Sequence, residues 1–94
     1  MFYITEGKGF QMKFANGWTV SAQWGAGNYV DRHLSPVAER PSQLCSRQSP
    51  NAEIAAWDAS GEWYNFGADT VKGYCTPDEV ATFIHMVSNF KENK

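Results

Sequence analysis

Three residues near the middle of this chain have the types that covalent catalysis uses. Asp31, His33 and Cys45 supply a carboxylate, an imidazole and a thiol within one short segment. An orienting group, a base and a nucleophile are the parts that such catalysis needs. No glycine elbow or other recognised catalytic frame surrounds them. We therefore interpret Cys45 as an ordinary loop cysteine with solvated polar neighbours, and we expect a protein that is not an enzyme.

Metal binding is the next chemistry to consider, because the chain holds two histidines and two cysteines. Along the sequence they are His33, Cys45, Cys75 and His85, at separations of 12, 30 and 10 residues. Structural zinc sites normally contain close pairs such as two cysteines separated by two residues. These wide separations predict no bound metal, and no motif here predicts a cofactor.

The three arginines form the best candidate for an anion site. Arg32, Arg40 and Arg47 all lie within residues 25–52, a segment of net charge about +1 in a chain of net charge −2. Guanidinium groups bind phosphates and carboxylates well. One hypothesis is therefore a sponge that sequesters an anionic nucleotide. The alternative is that these side chains belong to a solvated loop.

Composition limits the other classes of function. The 94 residues are 43% apolar and 15% aromatic, which is typical of one folded domain. A net charge of −2 argues against general nucleic-acid binding, which needs a basic excess. The sequence shows no signal-peptide pattern and no apolar stretch of about 18 residues. We therefore expect a cytoplasmic protein whose Cys45 and Cys75 are free thiols, whereas a secreted chain would suggest a disulfide.

Alternating residues predict a first hairpin in the N-terminal third. Apolar side chains recur at every second position in residues 10–14 and 18–24, which is the pattern of strands with one apolar face. A two-residue turn would place the two apolar sets on opposite faces. A three-residue loop pairs Met12 with Val20, and this register needs Gly17 in the left-handed conformation.

A second hairpin with the same loop length is predicted around Asp58 and Gly61. Its register gives three pairs: Trp57 with Trp63, Ala56 with Tyr64, and Ile54 with Phe66. The two tryptophans then lie on one face of the sheet and the other two pairs on the opposite face.

The helix signal is the clearest in the chain. Thr76, Pro77 and Glu79 match an N-cap, the first helical position and the third residue of a capping box. We expect a helix over residues 77–90, an apolar stripe on the sheet and an exposed His85. The stripe comprises Val80, Phe83, Ile84, Val87 and Phe90. A third strand is predicted near Thr70–Tyr74, and Leu34–Arg40 could add a short helix or strand.

These elements predict a single α+β domain over residues 1–94. An antiparallel sheet of about four or five strands is built from the two hairpins, with the C-terminal helix packed on one face. One helix covers one face, so Trp57 and Trp63 are expected on the other. With Tyr64 we propose them as a contact surface for a partner protein or for a second copy in a homo-oligomer. The alternative is that the segment 25–52 folds over the tryptophans.

Three stretches of the chain carry a family resemblance. They are KGFQMKFANGWTVSAQWG, AEIAAWDASGEWYNFG and TPDEVATFI. Together they resemble the small uncharacterised proteins of tailed phages and prophages. The resemblance implies an accessory protein of host takeover or counter-defence that works in the host cytoplasm. It implies action by stoichiometric binding and inhibition of a host protein, or by sequestering a nucleotide signal. It carries no catalytic residues.

Overall fold

The computed structural model describes residues 1–5, 8–24 and 49–91. These residues form a five-stranded antiparallel sheet with the strand order β1-β2-β3-β4-β5 and one helix. The strands are β1 (Phe2–Thr5), β2 (Gly9–Lys13), β3 (Thr19–Gln23), β4 (Ala52–Trp57) and β5 (Lys72–Cys75), and the helix is α1 (Pro77–Ser88). The predicted α+β fold, with its antiparallel sheet and C-terminal helix, is confirmed. The predicted element at 34–40 lies outside the described residues.

The first hairpin has the predicted register. Met12 lies opposite Val20, and the Phe14 amide donates a 2.8 Å hydrogen bond to the Trp18 carbonyl across a three-residue loop. Gly17 closes the loop at a φ of +92°, a conformation that costs glycine little and other residues more. The buried face therefore determined the pairing, as the alternation of apolar residues indicated.

Asn16, in that same loop, joins the hairpin to the end of the helix. Its side-chain oxygen accepts a 3.0 Å hydrogen bond from the Trp18 amide. Its Nδ2 donates to the carbonyls of Val87 and Phe90, at 2.9 and 3.1 Å. The last carbonyls of a helix lack their usual intrahelical partners, and the Val87 carbonyl also accepts from the Phe90 amide. A side chain more than seventy positions away in the sequence therefore adds to the cap. The sequence indicated only a turn here.

The second hairpin begins as predicted and then diverges. Trp57 pairs with Trp63, and the Tyr64 amide donates to the Ala56 carbonyl at 2.8 Å. The predicted pairing of Ile54 with Phe66 is wrong, because Ile54 lies opposite Lys72 of β5. A turn after Tyr64 causes this difference. The Gly67 amide donates a hydrogen bond to the side-chain oxygen of Asn65, and the Phe66 amide donates to the Asp69 carbonyl.

The helix carries the predicted capping box. The Glu79 amide donates to Thr76 Oγ1 at 3.2 Å, and the Thr76 amide donates to Glu79 Oε1 at 2.8 Å. The helix begins at Pro77 and ends at Ser88, two residues before the predicted end. It packs across β3, β4 and β5. The core between helix and sheet comprises Val20, Ala22, Ile54, Ala56, Cys75, Phe83 and Val87.

The strand β1 was not predicted. It pairs with β2 so that Phe2 lies opposite Met12 and Ile4 opposite Phe10. The fifth strand of the sheet is therefore β1. The residues that follow Trp63 in the second hairpin do not form a strand of the sheet. The predicted strand at 70–74 is β5, displaced by one to two residues.

Candidate functional site

The two tryptophans of the second hairpin lie side by side on the face of the sheet opposite the helix. Their ring centroids are 4.9 Å apart and their planes are tilted by 34°. Backbone hydrogen bonds join Asp58 to Glu62 and Ala56 to Tyr64, so Trp57 and Trp63 form the pair between them that shares no hydrogen bond. Side chains approach most closely at such positions.

The adjoining turn holds Trp63 in place. One carboxylate oxygen of Asp58 accepts hydrogen bonds from the Ser60 amide, the Ser60 hydroxyl and the Glu62 amide, at 2.9, 2.6 and 3.0 Å. The Gly61 amide donates to the Asp58 carbonyl at 2.9 Å. The turn fixes the backbone before Trp63, and the hydrogen bond from the Tyr64 amide to the Ala56 carbonyl fixes it after. This ordered backbone lowers the entropic cost of contact with a partner.

The two rings differ in their exposure to solvent. Trp63 is 46% exposed, whereas Trp57 is half-buried between Trp63 and Thr19 of β3. Thr19 is itself buried, and the next residue along this row of the sheet is the exposed Lys13. The candidate surface is therefore the accessible indole of Trp63, which packs against Trp57, with the ammonium group of Lys13 two strands from Trp57.

Tyr64 does not join the tryptophan pair. It lies on the helix side of the sheet, where its ring centroid is 5.0 Å from that of Phe66, 5.7 Å from that of Phe83 and 6.0 Å from that of Phe90. Adjacent residues on a strand point to opposite faces, so the position next to Trp63 belongs to the core. Tyr64 supports the helix and leaves Trp57 and Trp63 as the candidate surface.

The arginine hypothesis falls outside the described residues, as do the residues considered for catalysis. The former are Arg32, Arg40 and Arg47, and the latter are Asp31, His33 and Cys45. Within the described ranges, Cys75 is buried as a free thiol, and burial raises its pKa above the ordinary value of 9.0. His85 is exposed on the helix, as predicted. Over the same ranges, no three histidine, cysteine or acidic side chains come together as metal ligands.

Two clefts flank the helix. One, of about 250 Å³, opens between α1 and the start of β4, and its lining includes Phe10, Trp24 and Ile84. The other, of about 380 Å³, lies over β5 and carries Lys72 and Glu79 at its edge. The lining of the first cleft is mainly apolar, whereas that of the second also includes Asp78 and Thr82.

The outer strand β1 is a second exposed apolar feature. Phe2 and Ile4 are 67% and 84% exposed, and the strand contains no charged side chain. The run of aromatic and β-branched residues at 2–5 is typical of a strand. It lacks the alternation that marks a half-buried strand, which explains why the sequence did not reveal it.

Comparison with known proteins adds no relative from which function could be transferred. No protein-family model matches the chain, and no curated protein and no solved structure shows significant similarity to it. In the part of the chain that the structure describes, the helix is too short and too polar to cross a membrane.

Proposed function

We propose that the protein is a small, non-enzymatic binding protein that acts by stoichiometric contact with a partner protein. The observation that carries this proposal is the exposed Trp63, packed against Trp57 and held by an ordered turn. Together with the resemblance to phage accessory proteins, it leads us to propose a host protein as the partner. The protein would inhibit that target in the host cytoplasm, as a counter-defence factor does.

The energetics of Trp63 suit an anchor in a protein interface. A tryptophan with nearly half of its surface exposed can bury on the order of 100 Å² more, which corresponds to about 2–3 kcal/mol. This is the range of a hot-spot residue, and tryptophan is enriched among such residues. The indole is already ordered by its neighbour, so little side-chain entropy is lost when it binds.

A truncation of Trp63 tests the proposal. The wild type, Trp63→Ala and the control Tyr74→Ala would be incubated with a host lysate, and native mass spectrometry would identify the complex. The control removes another exposed aromatic ring, which is 59% exposed and lies on β5. Titration of the purified partner should saturate at one copy per target, and Trp63→Ala should weaken binding about 30- to 150-fold.

Two results would count against this function. Equal affinity of Trp63→Ala and wild type would remove the tryptophan pair as the contact. Inhibition at far fewer copies than targets would indicate turnover, and hence an enzyme. In the same spectra, a retained small anion that is lost when Arg32, Arg40 and Arg47 are replaced would favour the nucleotide sponge instead.

A further inference from the structure

The two edges of the sheet are built differently. The β5 edge carries features that discourage pairing with another strand: the charged Lys72, a register shift opposite Ala52 and Ile54, and Tyr74 at a φ of +57°. Charge, irregular pairing and twist are the usual means of protecting an edge. At the other edge, β1 is regular and uncharged, and within the described residues no second strand covers it.

The register of β1 shows which backbone groups point outward. Met1 and Lys13 exchange hydrogen bonds in both directions, with N···O distances of 2.8 and 3.1 Å. Because such pairs alternate along an antiparallel ladder, Tyr3 and Thr5 also turn their backbone groups toward β2. The amides and carbonyls of Phe2 and Ile4 therefore point away from the sheet.

We propose that two copies of the protein associate through β1, antiparallel and around a two-fold axis at Tyr3, to form one continuous ten-stranded sheet. In this register Phe2 of one copy lies opposite Ile4 of the other. These are the residues whose backbone groups are directed outward, so each copy donates two hydrogen bonds and accepts two. Such a contact is isologous, since the same surface serves both copies.

The side chains match this pairing on both faces. Phe2 and Ile4 lie on the helix side of the sheet with Met12 and Phe10, so the two-fold axis places apolar side chains beside apolar side chains. On the other face Tyr3 meets its own copy. Because β1 contains no charged side chain, it offers no opposite charge to a charged partner strand. Two copies of β1 likewise bring no like charges together.

The available area and the position of the helix also permit the dimer. The exposed surface of residues 1–4 is on the order of 600 Å² per copy, so these residues can bury at most about 1,200 Å² in the pair, at the lower limit of specific interfaces. The helix contacts β3, β4 and β5, and β3 lies about 10 Å from β1 at the usual strand spacing. The two helices therefore stay well apart.

The oligomeric state of the full chain is the first test. Light scattering coupled to size exclusion should give about twice the 10.5 kDa chain mass for the wild type. Ile4→Lys places a charge in the pair, and Ile4→Pro removes an outward amide without breaking the ladder to β2. Both should raise the dimer dissociation constant at least tenfold, while the control Tyr74→Lys on the β5 edge should not. A single cooperative urea transition, measured at a protein concentration at which wild type and variants are all monomeric, would show that each variant is folded.

A cross-link tests the register. In a Cys45→Ser background, Tyr3→Cys places two thiols across the two-fold axis at a pair without hydrogen bonds, where Cα atoms about 4.5 Å apart allow a disulfide. Oxidised glutathione should convert Tyr3→Cys to a covalent dimer and leave Thr5→Cys monomeric. A monomeric wild type, a dimer that survives both Ile4 variants, or equal cross-linking at the two positions would overturn the proposal. A dimer that Trp63→Ala dissociates and Ile4→Lys does not would overturn it as well.

Discussion

Asn16 offers the sharpest test of how this fold is held together, because one side chain joins the β2–β3 loop to the end of α1. Its amide nitrogen donates to two carbonyls at the helix end and its oxygen accepts from the Trp18 amide. Replacement by alanine removes all three hydrogen bonds, and the Val87 carbonyl keeps only its backbone partners such as the Phe90 amide. The perturbation is small in volume, so the loss of hydrogen bonding dominates.

The expected cost follows from the bonds lost. At about 1 kcal/mol net for each hydrogen bond, with water partly replacing the lost partners, Asn16→Ala should destabilise the domain by about 2–3 kcal/mol. A domain of this size is typically stable by about 5–15 kcal/mol. The urea midpoint should therefore fall by about 1–2 M.

Asn16→Asp should be worse at neutral pH, and its cost should depend on pH. A carboxylate would place negative charge against the carbonyls of Val87 and Phe90 and the negative end of the helix dipole. This environment raises the pKa of the introduced carboxyl above its ordinary value of about 3.9. Between the ordinary and the raised pKa the folded state binds more protons, so stability falls as the pH rises. The aspartate variant should thus approach the wild type as the pH is lowered from 7 toward 4.

Urea unfolding followed by tryptophan fluorescence at several pH values measures these differences. Asn65→Ala is the matched control, because Asn65 is exposed and its side chain accepts a single hydrogen bond from the Gly67 amide. It should cost less than about 1 kcal/mol. If Asn16→Ala costs no more than the control, or if Asn16→Asp shows the same cost at every pH, the helix-capping role is refuted.

Two further predictions concern ionisable groups of the described core and helix. Hydrogen bonds from the Thr76 amide and hydroxyl hold the pKa of Glu79 below its ordinary value of 4.5, so this carboxylate stabilises the fold above that value and the effect is lost as the pH falls through the lowered pKa. Glu79→Gln should therefore reduce the loss of stability below pH 4.5 in acid unfolding curves, and an unchanged curve would contradict this. Burial raises the pKa of the Cys75 thiol. In a Cys45→Ser variant, a disulfide reagent should therefore react with Cys75 at least about 100-fold faster in the urea-unfolded protein than in the folded protein. Equal rates would show that Cys75 is accessible in the folded state.

The sequence predicted the parts of the fold that local chemistry determines. The register of the first hairpin followed from alternation and from Gly17, and the start of the helix followed from Thr76 and Glu79, since these signals lie within a few residues of each other. The turn at Asn65 was missed because the run of aromatic residues before it looks like a continuing strand. The contact of Asn16 with the helix leaves no signal in sequence spacing, because its partners are brought together only by the tertiary fold.

The candidate site could be predicted to a similar extent. The pairing of Trp57 with Trp63 is a consequence of the three-residue loop, and the structure confirms that pairing. The predicted contact surface also includes Tyr64, but the structure places this residue on the helix side, where it packs against Phe66 and Phe83. Neighbours in the sequence of a strand point to opposite faces, so Tyr64 cannot share a surface with Trp63.

The composition and exposure of β1 favour its pairing with a second copy. A strand that serves only the core of its own chain buries one face and exposes polar residues on the other. In β1 Phe2 and Ile4 remain largely exposed on the helix side, and the aromatic ring of Tyr3 is exposed on the other face. The core formed by the described residues of one copy therefore gives no reason for this exposure. Pairing with a second β1 gives a reason for the exposed side chains and for the outward backbone groups at once. The irregular and charged β5 limits such pairing to one edge, so a two-fold dimer would close without growing into a longer assembly.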